Sequence, residues 1–359
     1  MSTPDTAAVR DGDAFGSHEF RLSVATAGEY AAIEAFSRRA DASDVMRPLT
    51  ASLITWFVHD NPCGPGFVVI ARERHSDELL GHFVFYRWTL TRRQVSGPPA
   101  SSPAMLYVRL YVQRQHRRRG IFAAMTTFGL DLVERSGIGL AYTAPNPRSA
   151  PGFVKFGMAQ RGPLPFWIRP PIPGWGLVGR LGARSAGIDV ERRDAFDASF
   201  EQLVPDQLPD SVTVWSPRSA AQLNWRYQQR PDCEYAIWYL RDHGRPVGYL
   251  VTRRMPIKGR PTLVICDSWV AREHTGAFSV GVEAAREGAS RGEVTIAIGG
   301  TAVPDLARAF RRAGLIRTPA VALPQPVVIL GGGVGPGARA DDLPSLEAWH
   351  VTPYDWDVF

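Results

Sequence analysis

The sequence predicts an α/β protein made of two similar domains. Three observations carry that prediction. The order helices, three strands, helix, strand, helix is read twice, at a spacing of about 160 residues. Between the two copies, Pro163, Pro165, Pro170, Pro171 and Pro173 interrupt a Gly- and Arg-rich stretch, which marks a domain boundary. A length of 359 residues with 45% hydrophobic content is enough for two cores and excludes a disordered or collagen-like chain. The expected divisions are a tail over 1–17, a first domain over 18–162, a linker over 163–187 and a second domain over 188–359.

In the first copy Glu19 to Ala25 alternates as a strand, and Tyr30, Ile33 and Phe36 recur at helical spacing. A second helix from Thr50 to His59 must stop at Asn61-Pro62-Cys63-Gly64-Pro65-Gly66, where two prolines and two glycines forbid continuation. Strands follow at Phe67 to Arg74, Leu79 to Leu90 and Met105 to Gln113. Ile121, Met125, Phe128, Leu132 and Val133 form one buried stripe of a helix. A strand from Ile138 to Thr143 and a short helix ended by Gly157 close the copy. The second copy reads as helices near Phe196 to Leu208 and Pro217 to Gln229, then strands at Tyr235 to Arg241, Pro246 to Arg253 and Thr262 to Val270. A helix from Gly276 to Ser290, a strand from Glu293 to Ile298 and a helix from Pro304 to Arg312 complete it.

The run Val112 to Ala124, V-Q-R-Q-H-R-R-R-G-I-F-A-A, carries the chemistry. It leaves a strand, turns through an arginine cluster and enters a helix at Gly120. The first N–H groups of a helix lack internal partners and the helix dipole is positive there, so this geometry suits a phosphate. Arg117, Arg118 and Arg119 add fixed positive charge, and glycine lets the backbone come close.

Here the sequence resembles the GNAT superfamily of acyl-CoA N-acyltransferases, of the bacterial type with two GNAT-like domains in tandem. The family phosphate loop, [QR]-x-x-G-x-[GA], matches Arg117-Arg118-Arg119-Gly120-Ile121-Phe122, with Phe122 where the pattern has Gly or Ala. Tyr142-Thr143-Ala144-Pro145-Asn146 and Gly152 to Met158 resemble the next strand, its Asn-bearing turn and the following helix. The resemblance implies that each domain is a mixed, mostly antiparallel twisted sheet flanked by helices, with a splayed parallel pair of strands. It also implies an acyl-CoA co-substrate, most simply acetyl-CoA, held by Arg117 to Ala123, Asn146 and Phe153, with a main-chain N–H at Leu110, Tyr111 or Val112 on the thioester oxygen. Leu223 to Tyr227, Gly248-Tyr249, Cys266-Asp267 and the ending Trp349 to Phe359 resemble the second half of such proteins. There the loop reads Val270-Ala271-Arg272-Glu273-His274-Thr275-Gly276, with Glu273 where a phosphate would sit, so one coenzyme site per chain is expected.

The implied reaction is direct attack of a small-molecule amine on the thioester, which needs a proton acceptor for the amine and a donor for the thiolate. The tyrosine that often serves the family as acid falls on Phe153, and no carboxylate lies on Leu106 to Val112. Asp267, inside an apolar run, is the preferred base or ammonium ligand, with a structural carboxylate holding backbone or the Arg226 side chain as its alternative. Tyr142 is a candidate for reaching the sulfur, with core packing as the alternative; Asp355 and Asp357 alternate near the chain end as an anchor for a cationic acceptor. The alternative functions are a catalytically silent CoA or metabolite sensor, and O-acylation or thioester decarboxylation on the same fold.

Other chemistries find no support. Cys63, Cys233 and Cys266 are too few and too scattered for a disulfide framework or a metal knuckle, no histidine pair has metal-ligand spacing, and no metal is expected. Neither a secretory leader nor a membrane-spanning apolar run is present in the sequence given, so a cytoplasmic protein is expected, and the setting implied is specialised metabolism. The net charge of +6 suits an anionic small molecule, and no basic stripe with stacking aromatics suggests nucleic acid. A homodimer is left open. Val327 to Gly337 superficially resembles a dinucleotide loop but opens no amphipathic helix, and a mobile hairpin is expected there.

Overall fold

The computed structural model describes residues 15–40, 47–172, 175, 187–203, 208–290, 292–299, 303–318 and 327–356; the expected tail lies outside them up to residue 14. The strands are β1 (Phe20–Val24), β2 (Phe67–Glu73), β3 (Leu79–Arg92), β4 (Ala100–Val112), β5 (Leu140–Thr143), β6 (Ala159–Pro163), β7 (Phe166–Arg169), β8 (Ile188–Arg193), β9 (Val214–Trp215), β10 (Ala236–Asp242), β11 (Arg245–Ile257), β12 (Arg260–Val270), β13 (Val294–Ile298), β14 (Ile316–Thr318), β15 (Val328–Gly333) and β16 (Trp349–His350). The α-helices among the described residues are α1 (Tyr30–Arg38), α2 (Ala51–Val58), α3 (Ile121–Arg135), α4 (Ala150–Lys155), α5 (Ala220–Tyr227), α6 (Thr275–Arg286) and α7 (Pro304–Arg312).

The chain divides into two compact units. Unit 1 comprises Met1–Leu90, Ser101–Arg161 and Val328–Leu343, and unit 2 comprises Thr91–Ala100, Gly162–Val327 and Pro344–Phe359. In unit 1 the strands follow the order β1-β2-β3-β4-β5-β15-β6, and in unit 2 β8-β10-β11-β12-β13-β7-β14. Along these orders each sheet is mostly antiparallel with one parallel pair, β4 with β5 and β12 with β13, and off the first order β16 pairs with β9 in parallel. Position for position the orders are the same, and the sixth strand of each is exchanged. β7, which follows unit 1 in the chain, pairs with β13, and β15, which follows unit 2, pairs with β5.

This exchange corrects two expectations. The 163–187 stretch is more than a linker, because Phe166–Arg169 is a strand fitted between Pro165 and Pro170. Proline cannot donate to a ladder, yet it is tolerated at strand ends, and Gly299 N–H reaches the Pro165 carbonyl at 2.9 Å. Val328–Gly333 is likewise a strand rather than a mobile hairpin, with Leu330, Gly331, Gly332 and Gly333 opposite Thr143, Tyr142, Ala141 and Leu140. Leu330 enters the unit 1 core at 2% exposure. The expected division at residue 162 therefore gives way to units built from separated segments.

Local signals explain the helices. Thr50 caps α2, its hydroxyl accepting from Leu53 N–H at 3.2 Å, and Ser219 caps α5 by accepting from Gln222 N–H at 3.2 Å. Ile121, Met125, Phe128, Leu132 and Val133 of α3 pack on Phe83, Phe85, Met105 and Tyr107 of β3 and β4, and Gly137 at φ +70° ends that helix. Gly157 and Gly314, at φ +82° and +79°, end α4 and α7 in the same way. The helix expected near Phe196 to Leu208 is instead a 3-10 turn over Ala198–Leu203, started by Asp197, whose carboxylate accepts from Ser199 N–H at 2.9 Å. β8 went unpredicted because an edge strand of charged residues, I-D-V-E-R-R, has no apolar alternation to read.

Gly331 tests the exchange. An added Cβ would lie 2.7 Å from Leu343 Cδ1, 2.8 Å from Tyr142 Cβ and 2.9 Å from the Ala141 carbonyl oxygen. Gly331→Val is expected to destabilise by about 1–3 kcal/mol through overpacking, read as a lowered denaturation midpoint; an unchanged midpoint would contradict the β15 placement.

Candidate functional site

The loop between β4 and α3 has the geometry of an anion site. Arg118 and Gly120 both lie in the left-handed region, at φ +68° and +79°. Such residues turn successive N–H groups toward one concavity, here at a helix N-terminus. No atom lies within 4 Å of where a Gly120 Cβ would be, so the approach to the backbone is open. The three arginines divide their work. Arg117 is tied back through Nε to the Val112 carbonyl at 3.0 Å, and Arg119 pairs with Glu19 at 2.9 Å and meets His116 at 2.7 Å. Arg118 is exposed and has no hydrogen-bond or ion-pair partner among the described residues.

Strand β4 bends just before this loop. Its register with β5 runs through Met105–Ala141 and Leu106–Tyr142, after which the Thr143 hydroxyl bridges to the Tyr107 carbonyl at 2.7 Å. Arg109 then takes φ +53°, a conformation that L residues rarely adopt. The alternation of side chains shifts across it. Met105 and Tyr107 face the α3 core, whereas beyond Arg109 it is Leu110 and Val112 that pack against that core. Tyr111 turns to the other face, with its ring 5.5 Å from Phe36 of α1 and 5.9 Å from His82 of β3. One extra residue in a strand has this effect, re-aiming everything that follows.

Several expected site residues are structural in this fold. Phe153 is buried and meets Phe122 at 5.3 Å, joining the first turns of α3 and α4. Ile121 is 1% exposed and belongs to the core, so only its main chain faces the loop; Ala123 is exposed in the next turn. The Asn146 side-chain oxygen accepts from Arg148 and Ser149 N–H at 2.9 and 3.0 Å, shaping the turn into α4. Tyr142 is fully buried in β5 between Leu106 and Gly331. Asp357 lies outside the described residues.

Asp267, in unit 2, is held by four bonds from three side chains. Arg218 donates from Nε at 3.1 Å and from a terminal nitrogen at 3.3 Å, Tyr249 at 2.9 Å and Thr352 at 2.8 Å. Arg218 also lies 3.6 Å from Asp355, and all three charged side chains are 0% exposed. Burial opposes the Arg218 charge, yet Asp267 and Asp355 hold its pKa well above the usual arginine value. Burial pushes Asp355 up to about 6, against the pull of Arg218, the Ser216 hydroxyl and Thr352 N–H. The Asp267 acceptor positions are thus committed to a closed network, which is the structural alternative foreseen for it, with Arg218 as the partner in place of Arg226.

The loop of unit 2 differs from that of unit 1. Eight residues separate β4 from α3, but only four separate β12 from α6, and none of these four is left-handed. His274 meets Asp242 at 3.0 Å, Arg272 meets Asp305 at 3.5 Å, and Arg312 bonds Thr275, the first residue of α6.

Two polar groups in unit 1 went unnoticed in the sequence. Neither ring nitrogen of His82 and no partner of the Tyr107 hydroxyl completes a well-formed hydrogen bond, although both residues are buried. Burial lowers His82 to about 4, tempered by the Arg109 main chain and reinforced by its guanidinium, and burial raises Tyr107 well above the usual phenol value. A lone histidine in the apolar run L-L-G-H-F-V-F-Y was the available signal.

Comparison with solved structures places this architecture. The chain matches a tandem GNAT protein from the clavulanic acid biosynthesis pathway with a TM-score of 0.55 and 12% identity, over 89% of this chain and 100% of that one. The fold is a tandem GNAT fold. GCN5-related N-acetyltransferases from Anabaena variabilis and Kribbella flavida match this chain with TM-scores of 0.60 and 0.58 at 12% and 15% identity. They cover 88% and 92% of this chain, over 73% and 72% of theirs. No protein-family model matches the sequence, and no curated protein matches it. Among the described residues no helix is long and apolar enough to cross a membrane, and no cluster of potential metal ligands is found.

The division of labour among the arginines is testable. Arg118→Ala is expected to leave stability unchanged, whereas Arg119→Ala lowers it through the loss of Glu19; thermal melts separate the two, and equal melting of both variants would contradict the division. Asp267→Asn is expected to cost about 3–5 kcal/mol in a denaturant series, because Arg218 loses its main partner in a dry interior. Asp355 binds its proton more tightly when folded, so its stabilising term is complete below about 3.8 and lost as pH rises through about 6. Stability should therefore fall more between pH 4 and 7 in the native chain than in Asp355→Asn, and parallel pH profiles would contradict this.

Proposed function

We propose that the protein is an acyl-CoA-dependent N-acyltransferase, using acetyl-CoA as its simplest donor and a small-molecule amine as acceptor. The observation that carries this reading is the open left-handed loop at Arg118 to Gly120, set at the start of α3 and directly after the bend in β4. The loop N–H groups and Arg118 would hold the coenzyme diphosphate, and the α3 dipole favours its charge. The pairing with β5 ends before the Arg109 bend, and a main-chain N–H at Leu110 to Val112 would donate to the thioester oxygen as negative charge develops there. The similar solved structures include GCN5-related N-acetyltransferases from Anabaena variabilis and Kribbella flavida, which supports the reaction class.

One coenzyme per chain is proposed. The shortened unit 2 loop carries Glu273, and Asp242, Asp305 and Arg312 already occupy its polar groups. The competing reading, a silent coenzyme-binding protein, draws on the lack of any carboxylate on β4 and on the phenylalanine at 153.

Thermal-shift titration with CoA, acetyl-CoA and longer acyl-CoAs tests the proposal. Ligand at about 100 times Kd should stabilise by roughly 2.7 kcal/mol, with a stoichiometry of one, and Gly120→Glu should abolish the shift. Thiol release on adding amines would then establish transfer. Binding without turnover over a broad amine panel would favour the silent protein, and no shift with any CoA would overturn the proposal.

A further inference from the structure

β4 is the fourth of the seven strands in the unit 1 order, and its middle is nevertheless open to water. Ala104 to Tyr107 are buried, Val108, Arg109 and Leu110 are half-exposed, and Tyr111 is buried again. The change falls just past the last pairs with β5, Met105–Ala141 and Leu106–Tyr142. The charged side chain at this opening is Arg109. Its guanidinium lies on the α1 and α2 face: it acts on His82, whose ring meets Phe36 of α1 at 5.9 Å, and it donates to the Arg47 carbonyl, three residues before the Thr50 cap of α2, at 3.2 Å. Leu110 to Val112, whose main chain the acyltransferase reading sets on the thioester oxygen, follow Arg109 directly in the chain. A molecule whose nitrogen attacks that carbonyl therefore comes within reach of the guanidinium.

Unit 2 shows which chemistry the same position accepts. Gly81 and Gly248 are equivalent, because a Cβ on either would strike the carbonyl of the residue before the last of the next strand, Tyr111 in one unit and Trp269 in the other. Arg109, three residues before the end of β4, thus corresponds to Asp267, three before the end of β12. β12 is irregular there too, since Val251 and Thr252 of β11 face Asp267 and Ile265, and Cys266 is passed over. The charge carried by the strand is reversed between the units. In unit 2 the group that meets it is Arg218, immediately before the Ser219 cap of α5, with bonds to Asp267 at 3.1 and 3.3 Å. α2 and α5 are counterparts, each leading into the second strand of its sheet, and the residue before the Thr50 cap is Leu49, apolar and 1% exposed. Unit 2 closes the position with a guanidinium–carboxylate pair made of its own side chains, and Thr262 to Trp269 are buried throughout. Unit 1 carries the guanidinium on the strand and keeps the position accessible.

We propose that the acceptor amine carries a carboxylate on the same molecule, as an amino acid does, and that Arg109 binds that carboxylate. This rests on the acyltransferase reading above and specifies its acceptor. A guanidinium offers parallel N–H donors that match the two carboxylate oxygens, so it fixes the direction of the acceptor as well as its place. A diamine would bring a second positive charge against the guanidinium and is rejected on that ground. In the transfer the nitrogen lone pair forms the C–N bond and the C–S pair leaves on sulfur. The proton lost by nitrogen and the proton gained by sulfur balance through solvent, and the products are an N-acyl amino acid and free thiol.

The test compares thiol release from acetyl-CoA by the full chain with amino acids, their carboxamides, diamines of matching length and phosphoethanolamine as acceptors. The free carboxylate should raise kcat/KM about tenfold or more over the carboxamide, with the diamine poorest. Arg109→Gln should bring the amino acid down to the kcat/KM of the carboxamide, chiefly through KM, and keep the acetyl-CoA thermal shift. Arg109→Lys, which retains the charge and loses the paired donors, should keep a smaller preference. Equal rates for acid and carboxamide, a preference for the diamine or the phosphate, or a carboxylate preference that survives Arg109→Gln overturns this assignment and leaves the acyltransferase reading standing. A native chain with no acetyl-CoA shift, or with a shift and no turnover across the panel, overturns that reading and this one with it. Should Arg109→Gln melt early, Arg109→Lys and the native series of acid, carboxamide and diamine read the same selectivity.

Discussion

The left-handed Arg109 in β4 is the constraint on which the unit 1 site depends. A regular strand would keep Tyr107, Arg109 and Tyr111 on one face; the bend sends Tyr107 to the α3 core and Tyr111 to Phe36 and His82. It also falls where the pairing with β5 ends, so an opening forms without the edge of the sheet being exposed along its length. Strain of this kind persists only when its surroundings over-determine it. Here the α3 stripe grips β4 on one side of the bend through Met105 and Tyr107 and on the other through Leu110 and Val112.

The exchange of β7 and β15 completes each of two copies of one design with a strand from elsewhere in the chain. Neither sheet is complete with its own contiguous segment, because the strand beside each parallel pair comes from the other part of the chain. Glycines at 331, 332 and 333 allow β15 to lie against Tyr142 and Leu343, which accounts for a composition that imitates a nucleotide loop.

The two units treat their buried polar groups differently in one respect. Among the described residues unit 1 has no carboxylate network beside its bend, whereas unit 2 joins Arg218, Asp267, Tyr249, Thr352 and Asp355 into a closed network in which the carboxylates and the guanidinium compensate one another's burial. Each unit also holds one buried histidine whose ring nitrogens have no hydrogen-bond partner, His82 in the first and His350 in the second. The final segment is held there as well, since Arg226 donates to the carbonyls of Pro353, Tyr354 and Trp356.

The sequence by itself determined the repeated element order, the helix stops, and the loop at Arg117 to Gly120, because these signals are local: apolar period, proline, glycine and charge at fixed spacing. Tertiary structure alone decided the exchanged strands, since a four-residue strand between prolines and a strand of three glycines have no pattern to read until a neighbour supplies hydrogen bonds. It likewise decided which polar residues are satisfied. Asp267 and His82 look alike in sequence, each a lone polar residue in an apolar strand, and only the arrival of Arg218, Tyr249 and Thr352 at one, and of no such donor at the other, separates an anchored carboxylate from an imidazole left open.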